Sequence, residues 1–401
     1  MAASAATRPH YGGTLRVQIR TRVTEPGADD QLAWLLCDRL VRLDARGEPQ
    51  PALAVSWQQE AGRWKFRLRS GVKFHDGSPL TAAAAASALE SLGATAQGES
   101  IMIRSDRPLA LELARPRYSV WRRAAEGVVV GTGPFRLTEF EPGQRAVFAA
   151  NDEYWEGRPY LDSVQVEMGR AQALDLELGK ADVIEADLSR PLRFPVRSGP
   201  PADLLAIASS TLDPRLREAI AHTIDRAAIH GVLLRKQGAI AGGLLPQWLT
   251  GYAHLFPPAR DVARARQRVA ELRGPPPVTL AYDAADAVAR AVAERVAVNA
   301  REAGVLVRTV PGGGAADARL VRARITSLDP GLALAELMAA AGQPLNAAPA
   351  ASPEACYLLE RSLLQDFRII PLVHLPEAVG LGPRVRNWTG WDLAGVWLST
   401  P

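Results

Sequence analysis

The sequence predicts an α/β protein with more than one domain, and three observations support this. The 401 residues are enough for roughly two or three domains with large cores. Strand-like Val278–Tyr282, helix-like Ala287–Ala303 and strand-like Val305–Val307 follow one another. Such a β-α-β unit favours a parallel sheet and a right-handed crossover. Residues 64–69 alternate apolar and polar side chains, Ser70-Gly71 follows as a turn, and Val72 and Phe74 have the spacing of a second strand, which together predict a β-hairpin.

The first elements of the chain follow from their periodicity. Leu15, Val17 and Ile19 alternate with polar residues, which indicates a strand. The apolar spacing from Leu32 to Leu43 predicts a helix. After the hairpin, Thr81 is suited to cap the helix predicted from Ala82 to Leu92.

The middle of the chain contains shorter signals. Residues 101–103 and Leu109–Leu113 have the pattern of strands, and Tyr118–Ala125 is predicted as a helix. Asp213 is a good N-cap for a helix starting at Pro214, which also places His222 and His230 on one helix. An amphipathic helix is predicted over 261–272.

Composition excludes some classes of function. Apolar residues make up 47% and charged residues 22% of the chain, and the net charge is +4. The arginines are scattered among acidic residues instead of clustering with aromatic residues, so we expect no nucleic-acid partner. No apolar run is long enough to span a membrane. The first ten residues do not have the pattern of an intact signal peptide.

The two cysteines, Cys37 and Cys356, leave two interpretations open. Two independent buried thiols are favoured, and a single disulfide in an oxidising compartment is the alternative. Neither cysteine belongs to a zinc-binding pattern.

No enzyme motif fits its required context, so we expect no catalytic residues and no cofactor. Ser70 and Lys73 have the spacing of penicillin-recognising enzymes, but they lie in a predicted hairpin. Gly131-Thr-Gly133 is followed by proline and a strand, unlike a dinucleotide-binding loop. The six histidines are dispersed, so a histidine-built metal site is not expected.

Several long motifs carry a family resemblance. Residues 57–82 contain Leu-Arg-x-Gly-Val-x-Phe-His-Asp-Gly, and residues 131–135 read Gly-Thr-Gly-Pro-Phe. Further motifs lie at 151–162 and 213–226. In this order they resemble the family 5 solute-binding proteins, the peptide and nickel receptors of bacterial import systems.

The resemblance implies a type II periplasmic-binding fold, with two lobes joined by a hinge, mixed sheets flanked by helices, and a small inserted domain. We place the hinge at Gly131, Thr132 and Gly133, where two glycines surround a tight backbone. The implied domains are domain I over 1–44, 131–207 and 373–401, the inserted domain II over 45–130, and domain III over 208–372.

The resemblance also implies a function. The protein would capture a small or peptide-like solute in a cleft between the lobes, close by hinge motion, and deliver the solute to the membrane permease of an ABC importer. It would act as a monomer in the periplasm or outside the cell. The alternatives are a sensory domain of the same fold and a metal or metal-chelate receptor.

Five residues are candidate ligand contacts. Trp34 follows the first loop, and Trp248 and Tyr252 lie in a proline- and glycine-flanked loop, although each could instead pack in a core. In peptide-binding relatives an aspartate near the position of Thr326 holds the peptide ammonium. A threonine cannot supply that charge-assisted bond. Asp329 is the possible substitute, or it starts a helix.

Overall fold

The computed structural model describes residues 8–399, except 28–29, 45–46, 125–126, 210, 253–254, 257–258, 273, 275, 313–314, 346–348 and 351. Residues 1–7, Ala125 and His254, which entered the sequence analysis, lie outside this part. The chain forms two compact units. The first comprises Met1–Ala186, Leu192–Arg197 and Val379–Pro401, and the second comprises Asp187–Pro191 and Ser198–Ala378.

The first unit contains most of the strands. They are β1 (Thr14–Gln18), β2 (Val41–Leu43), β3 (Pro49–Pro51), β4 (Ala54–Glu60), β5 (Arg63–Leu68), β6 (Thr95–Gln97), β7 (Ser100–Arg104), β8 (Trp121–Arg123), β9 (Val129–Gly131), β10 (Phe135–Glu141), β11 (Arg145–Ala150), β12 (Ser163–Glu167) and β13 (Val183–Glu185). Its helices are α1 (Asp30–Leu36), α2 (Ala82–Ala88), α3 (Leu109–Glu112) and α4 (Ala173–Glu177).

The main sheet of the first unit is mixed. Its strands lie in the order β10-β11-β12-β1-β13, and Val379–Leu381 pairs with β13 at one side. Strand β1 is parallel to β12 and β13, whereas β11 is antiparallel to both its neighbours. Leu15, Phe135 and Phe148 are fully buried against this sheet, so the predicted first strand is confirmed as a core strand.

The strand predicted from the alternation of Trp64, Phe66 and Leu68 is confirmed, and it belongs to a second, smaller sheet. The hairpin predicted with residues 72–74 is wrong, because β5 pairs with β4 across a turn at residues 61–62 and with β7 on its other side. Strands β4-β5-β7-β6 pair in that order, and α2 packs on them. Trp64, Phe66 and Leu68 are buried, while the basic residues between them are exposed. Thr81 caps α2 by accepting a hydrogen bond from the Ala84 N–H, as its position predicts.

Three other sequence predictions in this unit are wrong. The helix expected over Leu32–Leu43 ends at Leu36, because Val41–Leu43 pairs with β3 instead. Leu109–Leu113 is helical and not a strand, since Leu109, Ala110 and Leu113 are buried with helical spacing. Tyr118–Ala125 is not a helix, because Trp121–Arg123 pairs with β9. Strand pairing decides the first and third cases, in each with a segment only a few residues further along the chain, and helical periodicity does not detect it.

The second unit contains the remaining helices and further strands. Its strands are β14 (Val196–Ala208, from residue 198), β15 (Ala239–Ile240), β16 (Val278–Tyr282), β17 (Val307–Pro311), β18 (Ala318–Arg324) and β19 (Ile369–Leu381, to residue 378). The helices are α5 (Pro214–Thr223), α6 (Arg226–Ala228), α7 (Gln247–Thr250), α8 (Val262–Ala270), α9 (Ala287–Arg301), α10 (Pro330–Ala340) and α11 (Pro353–Gln365). Two short strands, β20 (Val385–Arg386) and β21 (Trp397–Leu398), return the chain to the first unit.

The predicted β-α-β unit is confirmed among the strands of the second unit. Strands run in the order β19-β14-β18-β16-β17, with β15 beside β19, and β16 and β17 are parallel strands joined through α9. Asp213 caps α5 as expected. The prediction that His222 and His230 share a helix is wrong, because α5 ends at Thr223 and Ile224 is extended.

Two further properties concern the whole described part. Cys37 and Cys356 are both free and buried, so the favoured interpretation of two independent thiols is confirmed. Burial raises the pKa of both thiols, that of Cys356 to about 11. Among the described residues, no helix has the length and apolar character needed to cross a membrane.

Candidate functional site

A pocket of about 140 Å³ lies in the second unit and brings together two of the predicted ligand contacts. Trp248 and Tyr252 both line it. The other walls come from β15, from the segment leading into α7 and from β19, and they include Ile240, Leu245 and His374. The proline- and glycine-flanked loop therefore contributes two aromatic side chains to a single concave site.

The local sequence explains how Trp248 reaches the pocket. Pro246 has an extended backbone and precedes the single turn of α7, and Gly251 ends that turn with a φ of 76°. The indole N–H of Trp248 donates a hydrogen bond to the Pro201 carbonyl at 2.9 Å. Its side chain is thus anchored at the polar end, although the residue is 44% exposed.

Tyr252 is held by a buried acid that the sequence analysis missed. Its hydroxyl donates a 2.7 Å hydrogen bond to Oε2 of Glu360, which is 0% exposed. The Leu244 and Leu245 backbone N–H groups donate to the other oxygen, Oε1. Glu360 thereby fixes both Tyr252 and the segment that leads into α7.

Burial controls the protonation of these groups. Burial raises the pKa of Glu360, and the three hydrogen bonds that Glu360 accepts oppose this rise. Burial also raises the pKa of Tyr252, and the nearby Glu360 charge adds to that rise. Gly243 is required here, because a Cβ at this position would lie 2.5 Å from Oε1 of Glu360. Glu360 lies in α11 on the same face as the buried residues Cys356 and Leu364, so its burial follows the helical spacing, whereas no local pattern identifies Tyr252 as its partner.

His374 forms the most enclosed polar part of the pocket. The residue is 3% exposed, and its Nε2 hydrogen donates to the Leu244 carbonyl at 2.9 Å. Burial lowers the pKa of His374 to about 4. The imidazole is therefore neutral near pH 7.

Thr326 and Asp329, predicted as ligand contacts, lie elsewhere in the second unit and do not line this pocket. Asp329 caps α10 by accepting a hydrogen bond from the Leu332 N–H, which fits the helix-start alternative. The Thr326 hydroxyl donates to the Glu336 carboxylate at 2.6 Å. An acidic group therefore does lie beside Thr326, and sequence reasoning did not find it. A ligand role for either predicted residue remains a prediction.

Trp34 lies in the first unit, on α1. The guanidinium of Arg39 stacks over its indole ring at 3.4 Å from the ring centroid. Arg39 is 6% exposed, and its Nε and Nη1 have no hydrogen-bond partner in the described part of the chain. Burial lowers the pKa of Arg39, and the charge of Asp38 opposes this. A ligand contact at Trp34 remains a prediction.

The residues predicted as a hinge form a close-packed contact inside the first unit. A Cβ on Gly131 would lie 2.0 Å from the Leu36 carbonyl oxygen, and one on Gly133 would lie 2.5 Å from the Leu36 carbonyl carbon. The Thr132 hydroxyl accepts a hydrogen bond from the Asp38 N–H. A hinge role for these three residues remains a prediction.

The imidazole of His75 ties the turn that contains it to the same segment. Its Nδ1 accepts a hydrogen bond from the Gly131 N–H at 3.2 Å, and its Nε2 donates to the Gly133 carbonyl at 3.0 Å. Burial lowers the pKa of His75, so the neutral ring that these two bonds need is favoured. Two of the sequence motifs, those at 57–82 and 131–135, are therefore in direct contact.

Across the residues that the structure describes, no group of three or more histidine, cysteine, aspartate or glutamate side chains could hold a metal ion.

The two units, with their mixed sheets flanked by helices, have the fold of the type II periplasmic binding proteins. A sequence model named "Bacterial extracellular solute-binding proteins, family 5 Middle" matches residues 48–103 and 123–352. This is more than half of the chain, so the chain belongs to the family 5 extracellular solute-binding proteins.

Similar proteins include a nickel-binding protein and an oligopeptide-binding protein. The nickel-binding protein NikA of Staphylococcus aureus is 26% identical over 228 residues, which are 48% of this chain and 46% of NikA. Its structure in complex with Ni(L-His)2 superposes with a TM-score of 0.80 and 17% identity, covering 96% of this chain and 98% of that one.

The oligopeptide-binding protein AppA of Bacillus subtilis is 25% identical over 207 residues, which are 41% of this chain and 38% of AppA. Its structure with a nonapeptide has a TM-score of 0.78 at 17% identity and covers 98% of this chain and all of that one. In both sequence alignments the chain spans less than half of the curated relative's length.

Proposed function

We propose that this protein captures a small solute outside the cytoplasmic membrane and delivers it to the permease of an ABC importer. Membership of a family of extracellular solute-binding proteins supports both the location and the role. In this proposal the protein acts as a monomer, without a cofactor, without catalysis and without a nucleic-acid partner. Closure of two lobes around the solute remains a prediction.

The observation that carries the proposal is the pocket lined by Trp248 and Tyr252. Solute sites are concave, mostly apolar and built with a few fixed polar groups. This pocket has those properties, because both aromatic side chains are positioned by hydrogen bonds to Pro201 and Glu360. A core position would not leave Trp248 44% exposed.

The two other functions considered from the sequence have less support. Relatives that bind nickel make a metal complex worth testing. The described residues offer no cluster of metal ligands, so a metal would need to arrive with its own chelator. Within the described part of the chain, no feature favours a sensory role over transport.

Native mass spectrometry of protein purified under non-denaturing conditions tests the proposal. We expect an additional mass for the bound solute in the wild-type protein and its loss or reduction in the Trp248→Ala variant. The matched control is Leu358→Ala, since Leu358 is 57% exposed and does not line the pocket. The proposal is contradicted if the protein binds no solute from any extract of its native medium and its unfolding temperature does not rise with any compound of a solute library.

A further inference from the structure

Resting on the proposed function, we propose that the pocket of the second unit accepts an uncharged apolar group the size of one aromatic ring or a branched aliphatic side chain. It excludes ammonium, guanidinium and carboxylate groups. The proposal concerns the part of the solute that enters between Trp248 and Tyr252, and so it names the chemical class that this site selects.

The size of the pocket sets the size of the group. Its volume of about 140 Å³ is close to the roughly 150 Å³ of an engineered apolar cavity that holds one benzene molecule. Ile240 and Trp248 are 37% and 44% exposed, so they lie at the mouth, whereas Leu245 and His374 are each 3% exposed and form the inner end. A single ring or an isobutyl-sized group fits this depth.

The lining carries no charged side chain. None of the described residues around the pocket is an aspartate, glutamate, lysine or arginine. A charged group that entered would lose its hydration without gaining a partner, and this costs far more than the transfer of a neutral group. An apolar group is instead stabilised, because it buries its surface against Ile240, Leu245 and Pro246.

The buried acid next to the pocket does not change this conclusion. Glu360 does not line the pocket, and both its oxygens already accept hydrogen bonds, one from Tyr252 and the other from two backbone N–H groups. A ligand cation would therefore have to displace the Tyr252 hydroxyl to reach the carboxylate. His374 adds no charge either, because burial keeps its ring neutral.

The pocket walls are held in place before any ligand binds. Trp248 is anchored to the Pro201 carbonyl, and Tyr252 is anchored to Glu360 and packs edge-on against the ring of Tyr357 at 5.1 Å. Little side-chain freedom is lost on binding, so even a small group can bind measurably.

Three probes with the same ring but different charge test the proposal at pH 7: benzyl alcohol, benzylamine and benzoic acid. Their affinities for the wild-type protein are measured by ligand-observed NMR titration. We expect benzyl alcohol to bind at least tenfold more tightly than the benzylammonium and benzoate ions. We also expect Trp248→Ala to weaken benzyl alcohol binding at least fivefold, while Leu358→Ala leaves it unchanged.

Each other outcome overturns the proposal. Tighter binding of either ion would show that a charged group is recognised, and no saturable binding of any probe would show that the pocket takes no such group. A Trp248→Ala effect equal to that of the control would place the probe elsewhere. The same proteins are examined by native mass spectrometry, which separates the two proposals. If the protein carries solute but binds no probe, only this inference is contradicted. If it binds the probe but carries no solute, only the proposed function is contradicted.

Discussion

A methyl group added at Gly131 separates two explanations for the segment 131–133. The residue is predicted to belong to a hinge, and the structure packs its α-carbon against the end of α1. An ideal Cβ would lie 2.0 Å from the Leu36 oxygen, 2.8 Å from the Leu36 carbonyl carbon and 2.9 Å from the Cys37 sulfur. Two of these three atoms are backbone atoms, so a side-chain rotation cannot relieve the clash.

The expected cost of Gly131→Ala follows from that geometry. Overpacking a core by one methylene costs about 1–3 kcal/mol, and occasionally more. Because the contact is with backbone, we expect a loss at or above the top of that range, about 3 kcal/mol. At about 2–4 °C per kcal/mol for a domain of 150–250 residues, the unfolding temperature of the first unit falls by about 6–12 °C.

Differential scanning calorimetry measures this change, and Gly231→Ala is the matched control. A Cβ at Gly231 would meet no atom within 4 Å, and its φ is not in the left-handed region. We expect this control to be neutral or slightly stabilising. A wild-type unfolding temperature for Gly131→Ala, combined with weaker solute binding, would refute the packing explanation and favour the hinge.

Three other predictions concern single side chains. Tyr252→Phe leaves a buried Glu360 oxygen without its donor, so the free energy of unfolding, measured by chemical denaturation, should fall by about 1–3 kcal/mol. The control Tyr357→Phe should leave it unchanged. Equal losses in both variants would contradict the role of the Tyr252 hydroxyl. The pKa of His374 falls from its ordinary 6.5 to about 4 on folding, so the unfolded chain takes up the proton first. Stability should therefore decrease as the pH falls from 6.5 to 4, by about 3 kcal/mol in total, and His374→Gln should flatten this part of a pH–stability profile. His75→Ala removes two hydrogen bonds to the 131–133 segment, so the free energy of unfolding, measured by urea denaturation, should fall by about 1–3 kcal/mol. An unchanged denaturation midpoint would show that the turn containing His75 is held without these bonds.

Sequence patterns predicted the elements whose signals are local. The alternation around Phe66 and the capping residues Thr81 and Asp213 act within a few positions, and the structure confirms all three. Where strand pairing decides the structure, local patterns failed even though the partner segment is close in the chain. Trp121–Arg123 was predicted as helix, but it forms a strand because β9 lies beside it.

In the candidate site, sequence patterns predicted the local feature and missed the contacts between residues far apart in the chain. A loop flanked by proline and glycine that contains Trp248 and Tyr252 indicated a pocket, and both side chains line one. Glu360 is 108 positions from Tyr252, so no spacing rule could connect them. The same holds for the bond between Trp248 and Pro201, 47 positions apart.

The most direct test of the account is a crystal structure of the protein purified with the solute it captures. We predict that an uncharged apolar part of that solute occupies the pocket, in contact with the rings of Trp248 and Tyr252, while the Tyr252–Glu360 hydrogen bond stays intact. A solute bound elsewhere with this pocket empty, or a charged group in contact with Glu360, would contradict it.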